Sequence, residues 1–179
     1  MKSISRILMV ITVLLSYTSG FAKVNLANES AQNVSQLTAL FDNYFSIKDA
    51  LVSSDASMAA SKAASMVVSI KAVDMGKLSS EEHNAWMKVT NDLTNSAGTI
   101  TKSKNVSQQR QAFALLSKSM YELAKESNQA VPVFYQHCSM FNNGKGANWL
   151  SKESAIKNPY YGNKMLTCGS VTETINNGK

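Results

Sequence analysis

The chain has 179 residues, two cysteines and a formal net charge of +6. That length suits one ordinary domain, large enough to bury a core without metal or disulfide staples. The lysines (Lys48, Lys62, Lys71, Lys88, Lys118) are scattered, with no stripe and no interleaved aromatics, which argues against a nucleic-acid binder. Taken in chain order, the first segment reads as a secretory leader over residues 1–22. Lys2 and Arg6 give a positive start, residues 7–15 an apolar run too short to span a bilayer, and Gly20 and Ala22 small residues before a cut after Ala22. No cysteine follows that run, so a lipoprotein anchor is not supported, and the expected location is the periplasm or the exterior. Residues 23–33 are polar and read as a flexible lead-in.

From residue 34 to 130 the pattern predicts four helices. The first is expected over 35–52, with Leu37, Leu40, Phe41, Tyr44, Ile47 and Leu51 recurring every three or four residues. The second opens at Asp55 as N-cap and carries Ala59, Ala63, Met66, Val67, Ile70 and Val73 on one stripe, its small residues letting a neighbour approach closely. The third starts at Ser79 or Ser80 with Glu81 and Glu82 in the first turn, where the helix dipole favours negative charge. Its stripe is Trp86, Val89, Leu93, Ala97 and Ile100, with Gly98 a mild weak point. The fourth spans about 107–128 with Phe113, Leu116, Met120 and Leu123 inward. Short connections predict antiparallel neighbours, hence a mainly α, up-down four-helix bundle. Residues 131–179 change character. They begin with a β-prone run, 131–137, and continue rich in Gly, Asn and aromatics, which predicts an irregular C-terminal cap. The expected domain is thus single, 34–179, with the bundle over 34–130 and the tail after it. No second apolar stretch of bilayer length occurs.

The search for catalysis is short. His83 and His137 are the only histidines, and His83 reads as an exposed residue at a helix start. No nucleophile elbow, zincin motif, phosphate loop or dinucleotide fingerprint occurs, nor paired-cysteine zinc spacing. A non-enzyme is expected. The remaining chemistry is the sulfur of the tail. Cys138 and Met140 are two apart, one side of an extended segment; Met165 and Cys168 are three apart, one side of a helical turn. Thiolate and thioether are soft donors that select Cu(I) or Ag(I), and His137 offers a further nitrogen. The competing reading of the same residues is a Cys138–Cys168 disulfide pinning the tail, worth about 2–4 kcal/mol, with the methionines as packing. Spacing leaves both open.

The tail resembles a bacterial secreted family catalogued as domain of unknown function 3347, whose tails are also found appended to periplasmic adaptor subunits of heavy-metal efflux pumps. The likeness is carried by Tyr135-Gln136-His137-Cys138-Ser139-Met140, Gly146-Ala147-Asn148-Trp149-Leu150-Ser151, Asn158-Pro159-Tyr160-Tyr161-Gly162 and Met165-Leu166-Thr167-Cys168-Gly169, with Tyr44-Phe45 and Trp86 in the helices. The family pattern has Cys-Pro-Met where this chain has Ser139 in the middle, a change that removes a rigid turn but no ligand atom. The resemblance implies a helical-bundle domain in the periplasm or at the cell surface, with a link to copper. The expectation is therefore a Cu(I) or Ag(I) binder using Cys138, Met140, Met165 and Cys168, with His137 as a further donor, which sequesters the metal or hands it to an efflux adaptor. The alternative is a disulfide-pinned bundle that acts as a protein-interaction module.

Overall fold

The computed structural model describes residues 25–129 and 131–176, so the proposed leader over 1–22 lies outside the described residues. The protein is mainly helical, with four long helices: α1 (Asn25–Val52), α2 (Ala56–Ala72), α3 (Ser80–Lys102) and α4 (Val106–Glu126). Each packs on the next in sequence, and α1 also touches α4. Helix α1 begins ahead of the predicted start, so the lead-in is helical from Asn25 onward. The run NLANESAQ holds no Gly or Pro and several good helix formers, so helix can extend through it without an apolar stripe.

The helix starts are set locally. Asp55 accepts from Met58 N at 2.8 Å. Ser79 and Glu82 form a reciprocal capping box, which stabilises α3 by roughly 1 kcal/mol. Asn105 caps α4 through Ser107 N and Gln108 N. The predicted inward residues of α1, α3 and α4 are all buried, as are Ala59, Ala63, Met66 and Ile70 of α2, while Val67 and Val73 are half-buried. Each large side chain removed from water in this way contributes about 1.5–3 kcal/mol. Buried Gln109 of α4 fastens one end of the helices, its Nε2 donating to Ala56 O and Ser103 O. Among the described residues no helix is long and apolar enough to cross a membrane.

The tail is more ordered than the expected irregular cap. It forms a three-stranded antiparallel sheet, with β1 (Val133–Cys138) between β2 (Ala147–Ser151) and β3 (Ser170–Ile175). The β-prone run expected at 131–137 is the central strand. Strand β3 lacks the alternation that marks a half-buried strand, because every residue but Ile175 is exposed. Its register also slips against β1 between Tyr135 and Gln136. The sheet is moored to the helices by aromatic groups. Tyr135 stacks on Tyr121 of α4 with centroids 3.9 Å apart, and Tyr121 donates to Glu173 of β3 at 2.7 Å. Tyr44 of α1, stacked on Phe113 of α4, shares a hydrogen bond with Ser117 and accepts from Leu150 N of β2.

Candidate functional site: a thiol pair where the tail folds back on the sheet

Cys138 is the last residue of β1, paired with Ala147 of β2, and is fully buried. Gln136 lies two residues earlier, on the same face of the strand, because side chains alternate along it. Its Nε2 donates to Glu153 O and Ser154 O, which lays the chain after β2 over that face. This loop carries the second cysteine. Asn158, fully buried, holds its two ends together: its amide N donates to Leu166 O, and its Nδ2 donates to Cys168 O, each at 2.8 Å. Asn158 Oδ1 in turn accepts from Tyr160 N, and Tyr160 donates through its hydroxyl to Asn148 O of β2. Gly169 completes the approach. Its φ of +145° lies in a region that L side chains rarely adopt, and a Cβ there would come within 2.7 Å of His137 O and 3.0 Å of the Trp149 ring.

These restraints bring the Cys138 and Cys168 sulfurs to 3.8 Å. Both are free thiols, one buried and one half-exposed. The contact with Cys138 raises the Cys168 pKa above the ordinary thiol value, and burial adds to the effect, because the neutral thiol is the better hydrogen-bond donor. At neutral pH the Cys168 sulfur is therefore protonated.

The other sulfur candidates divide. Met165 and Cys168 occupy one turn, with Cys168 N donating to Met165 O at 3.1 Å, and Met165 is half-buried. Met140 is 53% exposed and precedes a tight turn over 141–144, in which Asn142 and Asn143 are left-handed. Tyr161 donates to its carbonyl. His137 stands apart from the pair. It follows Gln136 and precedes Cys138, so its ring projects from the opposite face, where Nδ1 lies 3.1 Å from Asn148 Oδ1 and Gly146 leaves room for the ring edge. Among the described residues, no group of three or more His, Cys, Asp and Glu side chains is gathered to hold a metal ion.

The family model described as protein of unknown function (DUF3347) matches residues 40–130. The chain belongs to that family. The matched span covers the helices from within α1 to the end of α4 and stops before β1, so the sulfur-bearing tail lies beyond it. No curated protein and no solved structure matches the chain.

Sequence reasoning named the two cysteines but missed the residues that bring them together: Gln136, Asn158 and Gly169. Their signal was faint. A buried amide reads in sequence like any loop Asn or Gln, and only the Asn158-Pro159-Tyr160-Tyr161 context hinted that this one is enclosed. Beside the pair, Trp149 of β2, register partner of Gln136, is fully buried, and among the described residues neither its indole N–H nor Gln136 Oε1 has a hydrogen-bond partner.

Proposed function

We propose that this protein is exported and binds a soft monovalent cation, Cu(I) or Ag(I), through the thiolates of Cys138 and Cys168. Met165, half-buried in the turn of Cys168, is the inner thioether, and Met140, exposed two residues after Cys138, is an outer donor at the surface. The reading makes the protein a binder rather than an enzyme. It sequesters the metal or passes it to a partner such as an efflux adaptor in the periplasm, and the leader expected over 1–22 supports that location. The up-down order of the four helices, which their short connections favour, gives the tail a rigid platform.

One observation carries this reading: the 3.8 Å separation of two sulfurs from segments 30 residues apart. A tetrahedral metal with metal–sulfur bonds of about 2.3 Å spans two thiolates at roughly 3.8 Å, so the pair already stands at the spacing of a coordination edge. The donor chemistry agrees, since thiolate and thioether select soft cations. Half-exposed Cys168 gives the cation a way in, while buried Cys138 shields it from water. His137 is left out of the ligand set because it projects from the other face of β1.

Binding requires both thiols to lose their protons, and the raised pKa of Cys168 makes that loss harder. Cu(I) affinity should therefore rise with pH through the neutral and mildly alkaline range and fall in acid. The test is titration of the reduced protein with Cu(I) against a competing chelator. Cys138→Ser and Cys168→Ser should each weaken binding sharply, and Met140→Leu less so. Equal affinity in the wild type and the double cysteine variant would refute the reading.

The same contact favours one other reading, a Cys138–Cys168 disulfide that pins the tail in a protein-interaction module. Alkylation of the freshly isolated protein separates the two. Label at half-exposed Cys168 before reduction, blocked by added Cu(I), belongs to the metal site; labels that appear only after reduction belong to the bridge.

A further inference from the structure

The two thiols are in contact yet unequal, and that inequality has a chemical consequence. Cys138 is fully buried at the end of β1, under the chain that follows β2, whereas Cys168 is half-exposed at the end of a surface turn. An external disulfide reaches Cys168 and is kept from Cys138. We propose that the pair is a thiol–disulfide exchange site of fixed direction, in which Cys168 takes an external disulfide and Cys138 resolves it. The substrate class is a small disulfide, or one exposed on a protein surface, since only these reach the 165–168 turn.

The steps balance. The Cys168 thiolate, a minor form at neutral pH that gains ground as pH rises, forms by loss of its proton to solvent and attacks one sulfur of R–S–S–R; a Cys168–S–S–R bond forms and R–S⁻ leaves, taking up a proton. The Cys138 thiol, 3.8 Å away before reaction, then attacks the Cys168 sulfur, and its proton goes to the departing R–S⁻, which leaves as the second R–SH. The product is a Cys138–Cys168 disulfide and two R–SH, so the external disulfide is the oxidant and is itself reduced. Closure needs the sulfurs to approach by about 1.8 Å, to the usual bond length. The turn that must move is held by Asn158 on one side and by Gly169, with its open φ, on the other. The closed form has no thiolate to offer a soft cation, so oxidation would release bound metal; this last clause rests on the soft-metal reading above.

The experiment treats the reduced full chain with oxidised glutathione, quenches with acid and measures intact mass over time. Expected for the wild type is loss of two hydrogens with no lasting glutathione adduct. Cys138→Ser should instead accumulate one adduct at Cys168, and Cys168→Ser should react at least tenfold more slowly, with circular dichroism confirming that both variants are folded. A wild-type chain that stably gains two adducts overturns the proposal without reference to any variant, as does modification of Cys138 in Cys168→Ser at the rate seen for Cys168 in Cys138→Ser. Parallel Cu(I) titration separates the two readings. A reduced chain that closes its disulfide but takes up no Cu(I) upholds the exchange site and removes the soft-metal reading; a chain that takes up Cu(I) but does not close removes the exchange site alone.

Discussion

Glycine behaves differently in the two halves of this molecule. Gly98 sits within α3, where an added Cβ would meet nothing within 4 Å. Gly169 follows Cys168 in the tail, where a Cβ would strike the His137 carbonyl and the Trp149 ring. In the helices the backbone is regular and side chains supply the specificity. In the tail the backbone itself is packed against its neighbours, and single positions decide whether distant atoms meet. Most of the buried core belongs to the helices, and the proposed chemistry belongs to the tail.

The sharpest way to break this division is to damage each half and look for effects in the other. Leu116→Ala empties a fully buried position of α4 and should cost about 2–5 kcal/mol in thermal or denaturant unfolding. In the fraction that remains folded, the thiol pair should keep its reactivity towards an alkylating reagent. Asn158→Ala should cost less, about 1–3 kcal/mol, because it leaves the Cys168 carbonyl and Tyr160 N–H without their partner. It should nevertheless speed alkylation of Cys138 markedly, since the loop covering it is no longer clipped. If Leu116→Ala exposed Cys138 as much as Asn158→Ala did, the two halves would be one cooperative unit.

The glycines make the finer test. Gly98→Ala should stabilise the protein by about 0.5–1 kcal/mol, since a helical position with open space gains from reduced backbone freedom in the unfolded chain. Gly169→Ala should lower stability and move Cys168 away from Cys138, read as loss of disulfide closure under mild oxidation. The same sign for both variants would show that the distinction drawn from their surroundings is empty.

A weaker effect follows from the mooring tyrosines. Burial raises the pKa of Tyr44, Tyr135 and Tyr160, and Tyr121 is pushed up to about 12, first by its bond to Glu173. Their phenols stay neutral in the folded protein but ionise near pH 10 once unfolded. The stability they contribute is complete below pH 10 and is lost as pH climbs through the folded values. Tyrosinate absorbance should therefore lag behind that of free tyrosine until helical circular dichroism begins to fall. Titration of all tyrosines near pH 10 with the fold intact would contradict this.

What the sequence made legible follows the same division. The stripes of α1 to α4 and the caps at Asp55 and Ser79 are local patterns, and residues such as Trp86, Leu93 and Phe113 fell where their spacing placed them. Strand β3 escaped because its surroundings leave Val171 and its neighbours in solvent, so no buried alternation was written into it. The helical start at Asn25 escaped because a polar stretch can be helical without an apolar face. Cys138 and Cys168 could be named as candidates, but their contact depends on Gln136, Asn158 and Gly169, whose roles exist only once the tail has folded back. His137 is named as a further donor for its imidazole, and strand geometry sets its ring on the other face of β1 beside Asn148.

The most direct measurement is X-ray absorption at the copper edge of the reduced protein loaded with one equivalent of Cu(I). Two thiolates meeting at one cation predict an inner shell made of sulfur, lost in the Cys138→Ser/Cys168→Ser double variant and unchanged in His137→Ala. A shell dominated by nitrogen or oxygen, or one that survives removal of both cysteines, would contradict it.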